Sequence, residues 1–295
     1  IMVIGGGPSG ILHYAYSIDE GNTWIEEDIN VSTGTYTTFA MGKNRRSYLL
    51  WCAFLTYPFF MAYDKNLFSI LFNATALNSS KHFMRIPNSQ HLYCLYTRQK
   101  CEGGVSPGDF PHYDLVFGWS KDGGRRWKHK LVGPIYRIPF AHASTLNPSE
   151  GIVSTVWRHS TYPYAYREYN YITETWSPII GINLPTPITL GEDTIIVEEE
   201  EKAVTYPYIP SIVTTGTRPN NLYLHLVTRG KKGSNLVLAY AKYDINSLEN
   251  PESPIVVPDT VIDVGNILTP SLAFSNVNGV LKLHCVYEKE SKIYY

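Results

Sequence analysis

The chain is short of several things that common functional classes need. Its 295 residues contain no uninterrupted apolar run of about 18 or more, the length a membrane-spanning helix requires. No charged-then-apolar leader pattern opens it, and it starts at Ile1 rather than Met, which reads as a mature or excised piece of something longer. With 25 Lys and Arg against 26 Asp and Glu, the net charge of −1 supplies no basic field to hold phosphates. A general nucleic-acid binder is excluded on that ground. The short cationic runs Lys43-Asn44-Arg45-Arg46, Arg125-Arg126-Trp127-Lys128 and Lys231-Lys232 read as solvated turns. Four cysteines are too few for a disulfide scaffold. Cys94 and Cys101 are close enough to bridge across a hairpin, while Cys52 and Cys285 read as small buried residues. No ligand cluster for calcium or zinc is present, and no cofactor is implied. Glu198 to Glu201 reads as a solvated loop, and the sequons at Asn30, Asn73 and Asn78 are no more than chance provides.

Also missing is the alternation of strands with long amphipathic helices, and this decides how the opening "IMVIGGGPSG" is read. Gly5-x-Gly7-x-x-Gly10 after an apolar run is the start of a dinucleotide-binding strand, turn and helix. The required helix does not follow. Its middle would hold Gly21-Asn22, and a helical glycine costs roughly 1 kcal/mol relative to alanine. Glu26 falls where a ribose-binding acid belongs, but no parallel nucleotide-binding sheet can be built from the rest. The glycines read instead as a strand end and a hairpin into "ILHYAYS".

What the sequence does have is aromatic residues, 23 tyrosines and six tryptophans among them, which suit pleated sheets. It also has a repeat. "SIDEGNTW" (17 to 24) and "SKDGGRRW" (120 to 127) share Ser-x-Asp-x-Gly-x-x-Trp, and each follows an alternating strand, "ILHYAYS" and "YDLVFGWS". Such a turn uses the Asp to cap backbone N–H groups, the Gly for positive φ and the Trp to pack back over the loop. Ser17, Asp19, Gly21, Trp24, Ser120, Asp122, Gly124 and Trp127 are therefore fold residues. This resembles the Asp-box, the BNR repeat of sialidase-like β-propellers. "YNYITETW" (169 to 176) keeps only the Trp and the frame of a third copy. The tryptophans Trp24, Trp127 and Trp176 are roughly 100 and roughly 50 positions apart, which fits a unit of about 50 residues, the size of a propeller blade.

Five further strands align with one another: "SYLLWCAFLT", "HLYCLYTR", "GIVSTVWR", "NLYLHLVTR" and "VLKLHCVYE". In a period-2 register Cys52, Cys94, Ser154, His225 and His284 share one face, followed by Phe54, Tyr96, Val156, Val227 and Val286. That face ends in Thr56, Arg98, Arg158, Arg229 and Glu288. With the opening strand these make six units. The expectation is one all-β domain over 1–295, a β-propeller of six blades of four-stranded antiparallel sheets, its ring closed by both termini.

Arg98, Arg158 and Arg229 end equivalent strands of consecutive units, and a ring brings them toward one another. Guanidinium forks so placed suit a carboxylate or sulfate; the bland alternative is three separate surface ion pairs. The sialidase resemblance adds "MRIP" (Arg85-Ile86-Pro87) and "YRIP" (Arg137-Ile138-Pro139), since an Arg-Ile-Pro arginine grips the sialic-acid carboxylate in that family. It implies Arg85 or Arg137 in that part, with Asp109 or Asp114 as the acid. The Tyr-Glu nucleophile pair a sialidase uses has no assigned place.

Residues 204 to 244, with "STVWRHSTYPYAYREY", resemble a BNR-repeat family that includes ulvan-type polysaccharide lyases. "Thr-Tyr-Pro" recurs at Thr56, Thr161 and Thr205. That resemblance implies His159 with Arg158, and Tyr162 or Tyr206, as base, cation and acid of an elimination beside a uronate carboxylate. His142, His225 and His284 sit in strand registers and read as satisfied core or channel residues. The function expected is recognition of an acidic oligo- or polysaccharide, with cleavage by a glycoside hydrolase or lyase. The alternative is a carbohydrate-binding or attachment propeller without turnover. Either belongs outside the cell or on a cell or virion surface.

Overall fold

The glycine-rich opening is half of an antiparallel hairpin. In the computed structural model β1 (Met2–Gly6) pairs with β2 (Leu12–Tyr16), Gly5 opposite His13 and Gly6 opposite Leu12. Residues 12–16 form a strand and not a helix, so among the described residues there is no helix N-terminus to receive a pyrophosphate. The structure describes residues 2–6, 12–16, 22–29, 36–41, 47–52, 58–62, 67–70, 82–86, 89–99, 113–135, 141–159, 161–184, 210–246 and 261–295. Contacts divide the chain into two units, Ile1–Phe140 and Ala141–Tyr295.

The first unit holds three antiparallel sheets. β3 (Ile25–Ile29) completes β1-β2-β3. β4 (Tyr36–Met41), β5 (Ser47–Cys52), β6 (Pro58–Ala62) and β7 (Leu67–Ile70) form the second sheet in chain order. β8 (His82–Arg85), β9 (Leu92–Gln99), β10 (Tyr113–Ser120) and β11 (Lys128–Ile135) form the third. The second unit repeats the plan. β12 (His142–Asn147), β13 (Ile152–Arg158) and β14 (Tyr164–Asn170) carry an outer strand broken into β15 (Thr175–Trp176) and β16 (Ile180–Ile182), both paired with β14. β17 (Ser211–Thr215), β18 (Tyr223–Lys232), β19 (Asn235–Asp244) and β20 (Val261–Val264) follow as the fifth sheet. β21 (Ile267–Val277), β22 (Val280–Lys289) and β23 (Lys292–Tyr294) are the sixth. The protein is all-β, built of several four-stranded antiparallel meanders. Within the second unit the first strands adjoin, β12 beside β17 and β17 beside β21.

Alternation decides what lies between the sheets. Ile152 and Val156 of β13 pack with Leu222, Leu224 and Leu226 at β18 and with Ala239, Ala241 and Tyr243 of β19. The other face of the fifth sheet, Val213, Val227 and Leu238, packs on Ile267 and Leu272, with Cys285 and Tyr287 against it. Each sheet thus turns its Ser154, Val156 face, or its His225, Val227 face, toward the next sheet. Polar groups buried there need partners from their own sheet. Ser154 Oγ and Tyr166 hydroxyl are 3.0 Å apart. His225 sits between Thr215 Oγ1 at 2.8 Å from Nε2 and the Tyr240 hydroxyl at 2.8 Å from Nδ1. His284 repeats this with Ser275 Oγ at 2.7 Å and the Tyr295 hydroxyl. Cys94 is buried, and Cys101, close enough in sequence to bridge to it, lies outside the described residues. Cys94 lies opposite Gly118, where an added Cβ would approach its Sγ to 2.8 Å.

The His225 arrangement suits a neutral imidazole, since one ring nitrogen donates and the other accepts. Burial, helped by the Lys242 cation, pushes its pKa down to about 4 from 6.5. A folded-state pKa below the unfolded one means that stability is complete above pH 6.5 and falls as the pH drops toward 4. At pH 4.5 the loss from this group is about 2.5 kcal/mol. Urea unfolding at pH 7 and pH 4.5 checks this: His225→Gln should show an acid loss smaller than wild type by about that amount. Equal losses in both proteins would refute it.

Candidate functional site

β13 ends at Arg158, and the connection to β14 carries the most exposed of the residues expected to do chemistry. The Arg158 amide donates to the Ala141 carbonyl at 2.8 Å, tying the strand end to the start of β12. Pro163, which has no N–H to give a ladder, precedes β14. Between them the Thr161 amide donates to His159 Nδ1 at 3.2 Å. The His159 and Tyr162 rings lie 5.6 Å apart, tilted by 30°. That is face contact between rings, not an imidazole–phenol hydrogen bond. Tyr162 is 41% exposed. Its other side rests on the backbone of Gly181 in β16, where an added Cβ would meet the ring at 2.3 Å.

An amide N–H can only donate, so Nδ1 of His159 carries a lone pair and the neutral ring keeps its proton on Nε2. Burial lowers the His159 pKa below 6.5, which favours that neutral form at pH 7. The outward nitrogen is therefore a hydrogen-bond donor. Arg158 lies opposite Tyr164 in register, on the same face as Ser154 and Val156, and is partly exposed.

Arg229 holds the equivalent position in β18, but that strand runs on to Lys232, leaving Arg229 5% exposed between the fifth and sixth sheets. Its Nη2 donates to Asn266 Oδ1 at 3.0 Å. Arg85 pairs with Leu92 at the turn between β8 and β9, whereas Arg98 pairs with Asp114 at the far end of β9. Six residues of strand, about 20 Å, separate those two positions, so they cannot share one mouth. Asp114 is buried. His142 is buried within β12 opposite Trp157. Arg137, Asp109 and Tyr206 lie outside the described residues.

A Tyr-Glu pair that sequence reasoning left unplaced is present on β14. The Tyr166 hydroxyl donates to Glu168 Oε1 at 2.5 Å, and Arg218 Nη2 reaches both Glu168 oxygens at 2.7 Å. Glu150 also accepts from the Arg218 amide at 2.9 Å. The i, i+2 spacing of Tyr-x-Glu on a strand was the available signal. Tyr166 is fully buried and Glu168 is 4% exposed. Burial first, then the Glu168 charge, raises the phenol pKa well above its usual value. A sealed phenol of that kind is a structural hydrogen-bond donor.

The octapeptide at 120 to 127 makes a rigid turn between β10 and β11. Ser120 Oγ donates to Asp122 Oδ1 at 2.8 Å and accepts from the Gly124 amide at 2.8 Å. Asp122 Oδ1 also accepts from the Arg126 amide at 2.9 Å, and Trp127 Nε1 donates to the Gly124 carbonyl at 3.0 Å. Gly124 has φ +90°, a value side chains other than glycine's rarely take. The copy at 17 to 24 fills the same connection, with Tyr16 and Ile25 paired as Trp119 and Lys128 are. Trp24 is exposed, and Ser17, Asp19 and Gly21 lie outside the described residues. The frame at 169 to 176 differs. Tyr169 pairs directly with Trp176, and Asn170 Oδ1 accepts from the Ile172 and Thr173 amides in a shorter turn.

No family model matches the chain, and no curated protein sequence does. Solved structures do. The NanB sialidase of Streptococcus pneumoniae is similar at a TM-score of 0.51 and 11% identity, over 99% of this chain and 66% of that one. The Aleuria aurantia lectin has a TM-score of 0.47 at 11% identity, over 100% and 90% of the two chains. An ulvan lyase has 0.41 at 13%, over 99% and 76%. At 11% identity the sialidase likeness speaks for the fold alone, an all-β architecture of the propeller type. The chain spans just under two thirds of that sialidase's length.

Because the Tyr162 ring lies against His159, Tyr162→Ala should open His159 to water. The His159 pKa, followed by the NMR shift of its Cε1 proton, should then rise toward 6.5. An unchanged titration would mean that Tyr162 does not cover the imidazole.

Proposed function

We propose that this chain recognises an acidic oligo- or polysaccharide at the loop between β13 and β14. Arg158 takes the carboxylate, Tyr162 offers its ring to a sugar face, and His159 donates from Nε2 to a hydroxyl or carboxylate oxygen. The observation that carries this reading is the tilted His159–Tyr162 ring pair in the loop that follows the partly exposed Arg158. A guanidinium suits an anion through paired N–H donors, and a half-exposed phenol ring suits a pyranose face. The scaffold we propose is a single six-bladed propeller domain over residues 1–295, its ring closed by both termini and its turns at 17 to 24 and 120 to 127 being Asp-boxes. Six sheets and their repeated strand register support that reading. Such a protein belongs where acidic glycans are met, outside the cell or on a cell or virion surface.

Cleavage is the second reading, as a glycoside hydrolase or a polysaccharide lyase. One observation favours it: burial keeps His159 neutral beside a cation and a phenol, the parts an elimination next to a carboxylate needs. Tyr206 is the other phenol for that role. The hydrogen bond from Thr161 opposes it, because the proton then sits on the nitrogen that would have to accept one.

Sialosides and uronate-rich oligosaccharides, followed for binding, new reducing ends and unsaturated products, separate the two. Charge-assisted hydrogen bonds are worth about 1.5–3 kcal/mol, so Arg158→Ala should weaken binding roughly ten- to a hundredfold. We expect no product from the wild type. Unsaturated product lost in both Arg158→Ala and His159→Ala would establish the lyase instead. Binding indifferent to Arg158→Ala would sink the site.

A further inference from the structure

We propose that the outer strand β11 and the turn before it bind a sulfated polysaccharide, independently of the Arg158 loop. Arg125, Arg126, Lys128 and Lys130 follow one another within a short stretch, and all four are exposed. Among the described residues none of their charged groups has a carboxylate partner. The nearby acids are already engaged. Asp122 spends Oδ1 on the Ser120 hydroxyl and the Arg126 amide inside the turn. Asp114 is buried near the other end of β10, opposite Arg98. The net charge of the whole chain is −1, so this positive stretch is local and not a share of a general field.

Two structural features make it a surface and not merely a run of charge. The turn is braced by four hydrogen bonds among Ser120, Asp122, Gly124, Arg126 and Trp127, so the arginines are carried on a fixed frame. A preordered frame loses less entropy when a ligand binds. Among the described residues β11 is also the last strand of its sheet, paired only with β10. Lys128 and Lys130 stand opposite Trp119 and Phe117 on one face, about 7 Å apart along the strand. Evenly spaced cations on an unpaired edge match a linear polyanion, and short basic segments of this kind suit heparin-like chains. Arginine forks match sulfate oxygens in pairs. Single-stranded nucleic acid fits less well, because it needs open aromatic faces for its bases. Of the two rings between the cations, Trp127 is half-buried with its indole N–H held by Gly124, and the exposed His129 stands edge-on to Tyr96.

Immobilised heparin is the probe, with the full chain passed over it in about 0.1 M salt, where screening leaves close charges effective. We expect saturable binding that weakens with salt. The combined variant Arg125→Ala/Arg126→Ala/Lys128→Ala/Lys130→Ala should bind at least tenfold more weakly while its melting temperature and circular dichroism match wild type. Lys231→Ala/Lys232→Ala, on the β18–β19 hairpin, should bind as wild type does. Loss of heparin binding in Arg158→Ala with retention in the combined variant would overturn the proposal in favour of the loop site. Undiminished binding of desulfated heparin would overturn the sulfate assignment. A single-stranded oligonucleotide that binds as tightly, and is lost in the same variant, would replace the glycan as partner. Absence of heparin binding by the wild type would end it.

Discussion

Every sheet with a neighbour on both faces must satisfy its own buried polar groups, and this constraint organises the second unit. Apolar residues fill most of the space between sheets, with Ile152 and Val156 against the leucines of β18 and Val227 and Leu238 against Leu272. The polar residues that interrupt them are closed off locally, through Ser154 with Tyr166 and His225 between Thr215 and Tyr240, and the partly exposed His284 makes the same pair of contacts with Ser275 and Tyr295. Tyr166 and Tyr240 each stand one diagonal step away on the third strand of the same sheet, and Tyr295 directly follows the third strand of its own. A hydroxyl can donate or accept, so it completes a serine or an imidazole equally well. The same solution recurs in successive sheets because the same register recurs.

That closure pushes chemistry toward the strand ends. The Tyr166–Glu168–Arg218 cluster has the components of a catalytic constellation, yet it is sealed and its phenol is held protonated. Arg229 has the side chain a carboxylate site wants but spends it inside the sheet stack on Asn266. Arg158 ends its strand and is partly exposed, although its Nε and Nη1 are buried as those of Arg229 are. The functional proposal therefore rests on where a strand ends more than on which residue type occupies a position.

Much of the fold was legible from alternation alone. The segments aligned as second strands correspond to β5, β9, β13, β18 and β22, each the second strand of its sheet. The glycine run was legible as a hairpin because a helix could not follow it. Ser-x-Asp-x-Gly-x-x-Trp foretold hydrogen bonds within a few residues, and local chemistry of that kind depends little on the rest of the chain. The site was less legible. Arg98, Arg158 and Arg229 align in sequence and were expected at one mouth, but the length of β18 buries Arg229; Arg85, named through resemblance, sits at the opposite end of its sheet from Arg98. Strand length and turn placement are tertiary outcomes that period-2 patterning does not encode. His159 and Tyr162 were named through resemblance; their ring contact, and the tautomer that Thr161 imposes, required coordinates.

The central claim concerns one loop and one ligand class, and a crystal structure of the chain soaked with a sialoside or an oligouronate tests it most directly. The account predicts the sugar carboxylate at hydrogen-bond distance, about 3 Å, from the Arg158 guanidinium, with the pyranose face against the Tyr162 ring. A sugar bound elsewhere on the chain, with Arg158 and Tyr162 untouched, would contradict it.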